Sequence, residues 1–178
     1  VMIENYDDIP REKQMKLLKD VQSDAQWLNR MVENLLSVTR VDTDSVRVSK
    51  NSTVLEELID ALILKFHKHY PNQKITVSIP DEFVSIPMDP MLIEQVLMNL
   101  LENAVFHARG MENLWLTVTI VKHTAVFTIM DDGCGIPAER LRRIFQGSMD
   151  IEGPADAARN NMGIGLSVCN TIVKAHGG

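Results

Sequence analysis

Cysteine is scarce in this sequence and long apolar runs are missing, and each lack narrows what the chain can be. Two cysteines, Cys134 and Cys169, cannot build the framework that staples small secreted domains, so both are expected as free thiols in a reducing cytosol. No apolar run approaches the roughly 20 residues a membrane-spanning helix needs, and the acidic, polar start has no secretory character. Basic charge is in deficit: 18 Lys and Arg against 24 Asp and Glu leave a net charge of −6. That balance disfavours nucleic acid, or direct contact with an anionic membrane, as the main partner. Internal repeats and low-complexity tracts are missing as well. What is present, 178 residues of which 45% are hydrophobic, suffices for one buried core plus an added element.

The added element is N-terminal. Leu18, Val21, Ala25, Leu28, Val32, Leu35 and Thr39 step by alternate threes and fours, a heptad seam. Leu17, Trp27, Met31 and Leu36 widen the stripe, as in a helix that packs into a bundle. One helix cannot bury such a stripe by itself, so a dimerising bundle is expected; the plainer alternative is a helix lying against its own domain. Val41 to Ser52 reads as a short linker followed by an edge strand. The boundary falls near Ser45, with residues 1–44 as the bundle helix and 45–178 as the globular domain.

Within the domain, Thr53 and Glu56 predict a capping box, and Leu55, Leu58, Ile59, Leu62 and Phe66 then predict the buried face of a helix ended by Pro71. Lys74 to Ile79 and Phe83 to Ile86, separated by Pro80 and Asp81, read as two short strands. Asp89 as N-cap and Pro90 at the first position start a further helix, with Leu92, Ile93, Val96, Leu97, Leu100, Leu101 and Ala104 on its buried side. Leu114 to Val121 and Ala125 to Met130 alternate around a turn at Lys122 to Thr124, as in an antiparallel hairpin. Helices near Ala138 to Phe145 and from Gly163 to His176 complete an α+β sandwich, one mixed sheet covered by helices on one face.

Three clusters carry chemistry. Asn99 and Asn103 lie one turn apart on the helix after Asp89, so both amides point the same way. Asn is a mediocre helix former, and its amide oxygen is a neutral hard ligand suited to Mg²⁺. Asp131 to Pro137, DDGCGIP, takes a carboxylate out of a strand into a glycine loop where a flat base can approach. An ionised Asp only accepts hydrogen bonds, so it favours an amino-bearing base such as adenine. Gly163 to Leu166, GIGL, opens the last helix, where unpaired amides attract phosphates. Taken singly, these are also what a solvated helix face, a tight turn and a helix cap look like. The polar stretch between Phe145 and Gly163 is too long for a routine connection and reads as a lid.

In order and spacing the clusters resemble the catalytic, ATP-binding domain of sensor histidine kinases, built on the Bergerat-type ATP fold. Asn99 to Ala104 resembles the N box, Asp131 to Gly135 the first glycine box, Ile144-Phe145 the F box, and Gly163 to Leu166 the second glycine box. The resemblance implies ATP and Mg²⁺ as cofactors. Asn103 would ligate the metal, Asn99 would assist at the phosphates, and Asp131 would accept the adenine amino group. His107, Gly133, Gly135, Ile136, Phe145, Gly163, Ile164, Gly165 and Leu166 would border the nucleotide. It further implies a homodimer through the heptad helix, a response regulator as partner, and a place in the cytosolic part of a membrane-anchored sensor. Trp27 to Leu36 looks most like the potassium-responsive Kdp-type kinases.

The departures set the expected mechanism. Phe106 stands where the family has a basic residue near the phosphates, Ser148 where the F box has a second aromatic, and Asn161 where the last box has its first glycine. None of the five histidines resembles the phosphoacceptor, and the chain stops at Gly178 where the family adds a strand, so a fragment is expected. The reaction implied is in-line transfer of the γ-phosphoryl to a histidine on a helix outside this chain. Related ATPases carry a glutamate base where Asn99 stands, and an amide removes no proton, so hydrolysis should be slow. Two other readings are a nucleotide-gated interaction module without kinase activity and a serine kinase of the anti-sigma-factor type.

Overall fold

The computed structural model describes residues 10–18, 20–22, 25, 48–122, 124–137, 141 and 162–178. Residues 11–18 and 20–22 form the described part of a first helix, α1, in which Met15, Leu18 and Val21 are 51%, 54% and 61% exposed. These three side chains of the expected stripe are thus open to water. Leu28, Val32, Leu35 and Thr39 of the seam lie outside the described residues, as do residues 138–140 and 142–161, where the short helix and the lid were expected.

Strand β1 (Asn51–Val54) pairs antiparallel with β3 (Ser85–Met88), from Asn51 opposite Met88 to Val54 opposite Ser85. Helix α2 (Leu55–His69) follows at once, burying Leu55, Leu58, Ile59, Leu62 and Phe66 as their spacing predicts. The predicted capping box does not form. Thr53 is a strand residue whose hydroxyl donates to Asn51 O at 3.1 Å, and Val54, the residue before the helix, has no side-chain cap. The Leu55 N–H instead finds Val84 O at 3.0 Å, so β-pairing meets a need that a local cap would otherwise serve.

Strand β2 (Thr76–Ser78) runs parallel to β4 (Leu114–Val121), which forms a hairpin with β5 (Thr124–Asp131), Lys122 turning the corner at φ 58°. Among the described residues the strands form two ladders, β1-β3 and β2-β4-β5, where one mixed sheet was expected. The three-stranded ladder is the mixed one. Helix α3 (Pro90–His107) starts as predicted, Asp89 Oδ1 accepting the Leu92 N–H at 3.2 Å with Pro90 at the first turn. Met98, unforeseen in the apolar pattern, is buried with Ile93, Val96, Leu97, Leu101 and Ala104.

The main core lies between α2, α3 and the inner face of β4, where Leu114, Leu116 and Val118 alternate inward. Each large apolar side chain so buried contributes about 1.5–3 kcal/mol against exposure, before the entropy of ordering is subtracted. Helix α4 (Met162–His176) packs on the other side of α3 through Val168, Cys169 and Ile172 against Val96. Helix α3 is therefore shared by two cores, and its Asn-bearing stretch runs between them.

Candidate functional site

Asn99 and Asn103 are each partly buried, and among the described residues the Nδ2 atoms of both are sealed from solvent with no hydrogen-bond partner. An orphaned buried donor costs about 1–3 kcal/mol, and a natural core rarely holds two side by side without a use for them. Nitrogen and oxygen of an amide exchange places by rotation about one bond, so neither group is committed to a protein partner. The Asn99 side chain lies near the Cys169 thiol without making a bond of ordinary geometry. Burial dominates at that thiol and pushes it up to about 11, with Asn99 opposing weakly.

The glycine loop is fastened to the end of α3. At Gly133 an added Cβ would lie 2.5 Å from Ala108 Cβ and 2.8 Å from Ala108 Cα and C, so only glycine lets the two backbones meet. The Cys134 N–H donates to Arg109 O at 3.0 Å, and the Cys134 thiol faces His107 O at 3.8 Å. Gly135 turns the chain at φ +68°, with open space around it. This brings Asp131, Gly133 and Gly135 to the C-terminal part of the helix that carries Asn99, Asn103 and His107.

The two carboxylates of the loop have separate duties. Asp131 is exposed, and its Oδ1 accepts the Gly133 N–H at 3.0 Å; among the described residues Oδ2 takes no hydrogen bond. Asp132 is spent on structure, its Oδ1 accepting the Glu112 and Asn113 N–H groups at 2.8 and 2.9 Å and its Oδ2 the Asn113 Nδ2 at 2.7 Å. The hydrogen bonds from Asn113, backbone first and then side chain, hold its carboxyl below the usual carboxylate range. This anchor was not foreseen, since nothing local marks a partner 19 residues away.

Helix α4 begins at Met162, so Gly163, Ile164, Gly165 and Leu166 lie in its first turns, with Gly165 and Leu166 buried. Ile136, beyond the loop, is 46% exposed. Phe145 lies outside the described residues. Phe106, 44% exposed, packs edge-on against Tyr70 with ring centres 5.9 Å apart, and Tyr70 Oη donates to Glu102 Oε1 at 3.0 Å. An aromatic contact thus stands where a basic residue was expected by family resemblance. Among the described residues no three His, Cys, Asp or Glu side chains converge, so a metal here would need oxygens from amides and from its ligand. A separate hollow of about 400 Å³, between the start of α2 and residues 79–84, includes none of these residues.

A family model described as histidine kinase-, DNA gyrase B-, and HSP90-like ATPase matches residues 88–178, from the end of β3 through α4. The sensor protein KdpD of Clostridium acetobutylicum is 34% identical over 177 residues, which is 99% of this chain and 20% of that protein. The adaptive-response sensory kinase SasA of Synechococcus elongatus is 29% identical over 167 residues, 91% of this chain and 42% of that one. The chain therefore spans about a fifth and under a half of these relatives. Among solved structures, the histidine kinase AdeS of Acinetobacter baumannii superposes with a TM-score of 0.65 at 21% identity, covering 97% of this chain and 80% of that one. A catalytic domain of the histidine kinase ThkA gives 0.57 at 25% identity, over 71% of this chain and 82% of that domain.

Proposed function

Because the chain belongs to the histidine kinase-, DNA gyrase B-, and HSP90-like ATPase family, we propose that it is the ATP-binding catalytic part of a sensor histidine kinase, passing the γ-phosphoryl of MgATP to a histidine on another helix and thence to a response regulator. The observation that carries this reading is the pair of uncommitted amides, Asn99 and Asn103, set beside a glycine loop with an open carboxylate. Asp131, through the oxygen not engaged by Gly133, accepts an exocyclic amino proton and so prefers adenine to guanine, whose carbonyl it would repel. Asn99 donates to a phosphate oxygen, relieving an orphaned nitrogen. The amide oxygen of Asn103 is the group that would hold Mg²⁺, which when bound neutralises phosphate charge.

The chain's own contribution is positioning. The Gly133–Ala108 contact and the Cys134–Arg109 bond keep base-binding and phosphate-binding groups at a set separation. Asn99 removes no proton, so water is not activated and ATP survives until a histidine arrives. The exposed stripe of α1, Met15, Leu18 and Val21, supports dimerisation through that helix, with residues 1–44 as the bundle element and 45–178 as the catalytic domain. Among the described residues no helix is long and apolar enough to cross a membrane; as in a sensor kinase, the module would work in the cytosol.

Calorimetric titration with ATP and GTP, with and without Mg²⁺, tests the site. Asn99→Ala and Asn103→Ala should weaken ATP binding by about tenfold or more, the loss of one charge-assisted bond. Stability of the ligand-free chain should hold or rise, since each change removes an orphaned donor and gains about 0.6 kcal/mol of helix propensity. Asp131→Asn should erase the preference for adenine. Failure of the parent to bind ATP, or Asn variants that lose stability and keep affinity, would end the proposal. A second reading, a nucleotide-gated interaction module, rests on Phe106 in place of a basic residue; label transferred to a histidine on a supplied acceptor helix excludes it.

A further inference from the structure

Far from the glycines, the other ends of α3 and α4 are tied by a histidine. His176, in the last turn of α4, accepts the Asp89 N–H on Nε2 at 3.1 Å, and its Nδ1 lies 2.9 Å from Ile172 O. A backbone N–H only donates and a carbonyl only accepts, so these partners assign the neutral ring with its proton on Nδ1. Asp89 is also the N-cap of α3, so His176 grips the first backbone group of the helix that carries both asparagines.

Seven residues along α3 and seven back along α4, the Cys169 thiol faces Val96 O at 3.8 Å. The two contacts define antiparallel helices in one register. Three residues further, the same register sets Asn99 opposite Leu166, and a full seven sets Asn103 opposite residue 162. That register carries the first turn of α4, with its glycines, to the level of the asparagines. A helix rises about 1.5 Å per residue, and a misplacement of about 1 Å in a site can cost on the order of 100-fold in rate. The segment entering the domain binds the same two residues: the Ser49 N–H donates to Asp89 Oδ2 at 3.3 Å and Lys50 Nζ to His176 O at 2.9 Å.

We infer that His176 is a positioning residue for the nucleotide, a pin that sets the axial register of α4 on α3 and thereby brings the Gly163–Leu166 turn to Asn99 and Asn103. The inference rests on the nucleotide reading above, and its test separates the two.

His176→Gln places an amide oxygen at the reach of Nε2 and can still take the Asp89 N–H. His176→Asn reaches only as far as Nδ1 and keeps the Ile172 bond alone. MgATP affinity by calorimetry, and the side-chain amide NMR signals of Asn99 and Asn103 without nucleotide, are measured for parent and both variants. The Asn variant should bind MgATP about fivefold or more weakly and displace those signals, while the Gln variant should stay within about twofold of the parent with signals in place. A merely structural His176 would lower the melting temperature of the Asn variant and leave affinity and signals alone, which overturns the pin. If the parent binds no MgATP but the signals move as expected, the nucleotide reading falls, while the part of the inference in which His176 sets the register of α4 on α3 is supported. Should the Asn variant fail to fold, His176→Ser, which also loses the Asp89 bond, takes its place: weaker MgATP binding with displaced signals supports the pin, and parent-like affinity with signals in place refutes it.

Discussion

Gly133→Ala is the sharpest probe of how the loop and α3 are joined. The new Cβ would sit 2.5 Å from Ala108 Cβ and 2.8 Å from two Ala108 backbone atoms, against about 3.5–4.0 Å for carbon atoms in comfortable contact. Ala108 is the C-cap of α3 and cannot swing aside like a side-chain tip, so the loop must retreat by roughly 1 Å. That retreat stretches the Cys134–Arg109 bond, 3.0 Å long in the native chain. Overpacking of this kind costs about 1–3 kcal/mol and one weakened hydrogen bond about 1 more, so about 2–4 kcal/mol in all. For a chain of this size that lowers the melting temperature by roughly 5–15 °C. Gly135→Ala supplies the contrast: its Cβ would meet nothing within 4 Å, and only the left-handed backbone at φ +68° resists it, by about 1–2 kcal/mol. Thermal and urea denaturation of both variants, followed by ATP titration, give the comparison. Should Gly133→Ala cost no more than Gly135→Ala, or leave ATP affinity unchanged, the claim that close backbone contact positions the site is wrong.

Acid should loosen the same loop through Asp132. Its folded carboxyl is held below the ordinary 3.8, so its stabilising effect is complete above the unfolded value and is lost as pH falls from about 4 toward the folded one. Urea midpoints over that window should fall more steeply for the parent than for Asp132→Asn, which is less stable at neutral pH; parallel slopes would remove Asp132 from the account. The thiols should separate cleanly, Cys134 being exposed and Cys169 buried with its thiol pushed up to about 11. At neutral pH iodoacetamide should add once to the folded chain, at Cys134, and twice in urea, as intact mass will report. Tyr70→Phe removes the hydroxyl that donates to Glu102 and should cost about 1 kcal/mol or more while sparing adenine preference, measured by denaturation and titration.

Most of what was legible in advance is local. The α2 face from Leu55 to Phe66, the Asp89 cap with Pro90, and the β4-β5 hairpin all follow from periods of 3.6 or 2 and from the chemistry of one or two neighbouring residues. Thr53 and Glu56 mislead because the same residues that spell a cap can also end a strand, and β3, which sets Ile86 opposite Thr53, decided between them. β3, expected at Phe83 to Ile86, lies at Ser85–Met88 because pairing with β1 sets its ends. Asp131, the expected base acceptor, is exposed, whereas Asp132, chemically identical and adjacent, is consumed by Glu112 and Asn113. No sequence rule tells two neighbouring carboxylates apart when their partners come from another strand.

By itself, the order of residues determined which stretches are helix or strand and which faces turn inward, and it pointed to two amides, a carboxylate and paired glycines as the expected site. Folding alone decided that both amide nitrogens would be buried without partners among the described residues, that Gly133 would touch Ala108, and that His176 would bond the start of α3. The division has one physical cause. Periodicity and caps act over a few residues and are written in the chain, while contacts between segments far apart in sequence come into being only when the packed core brings them together.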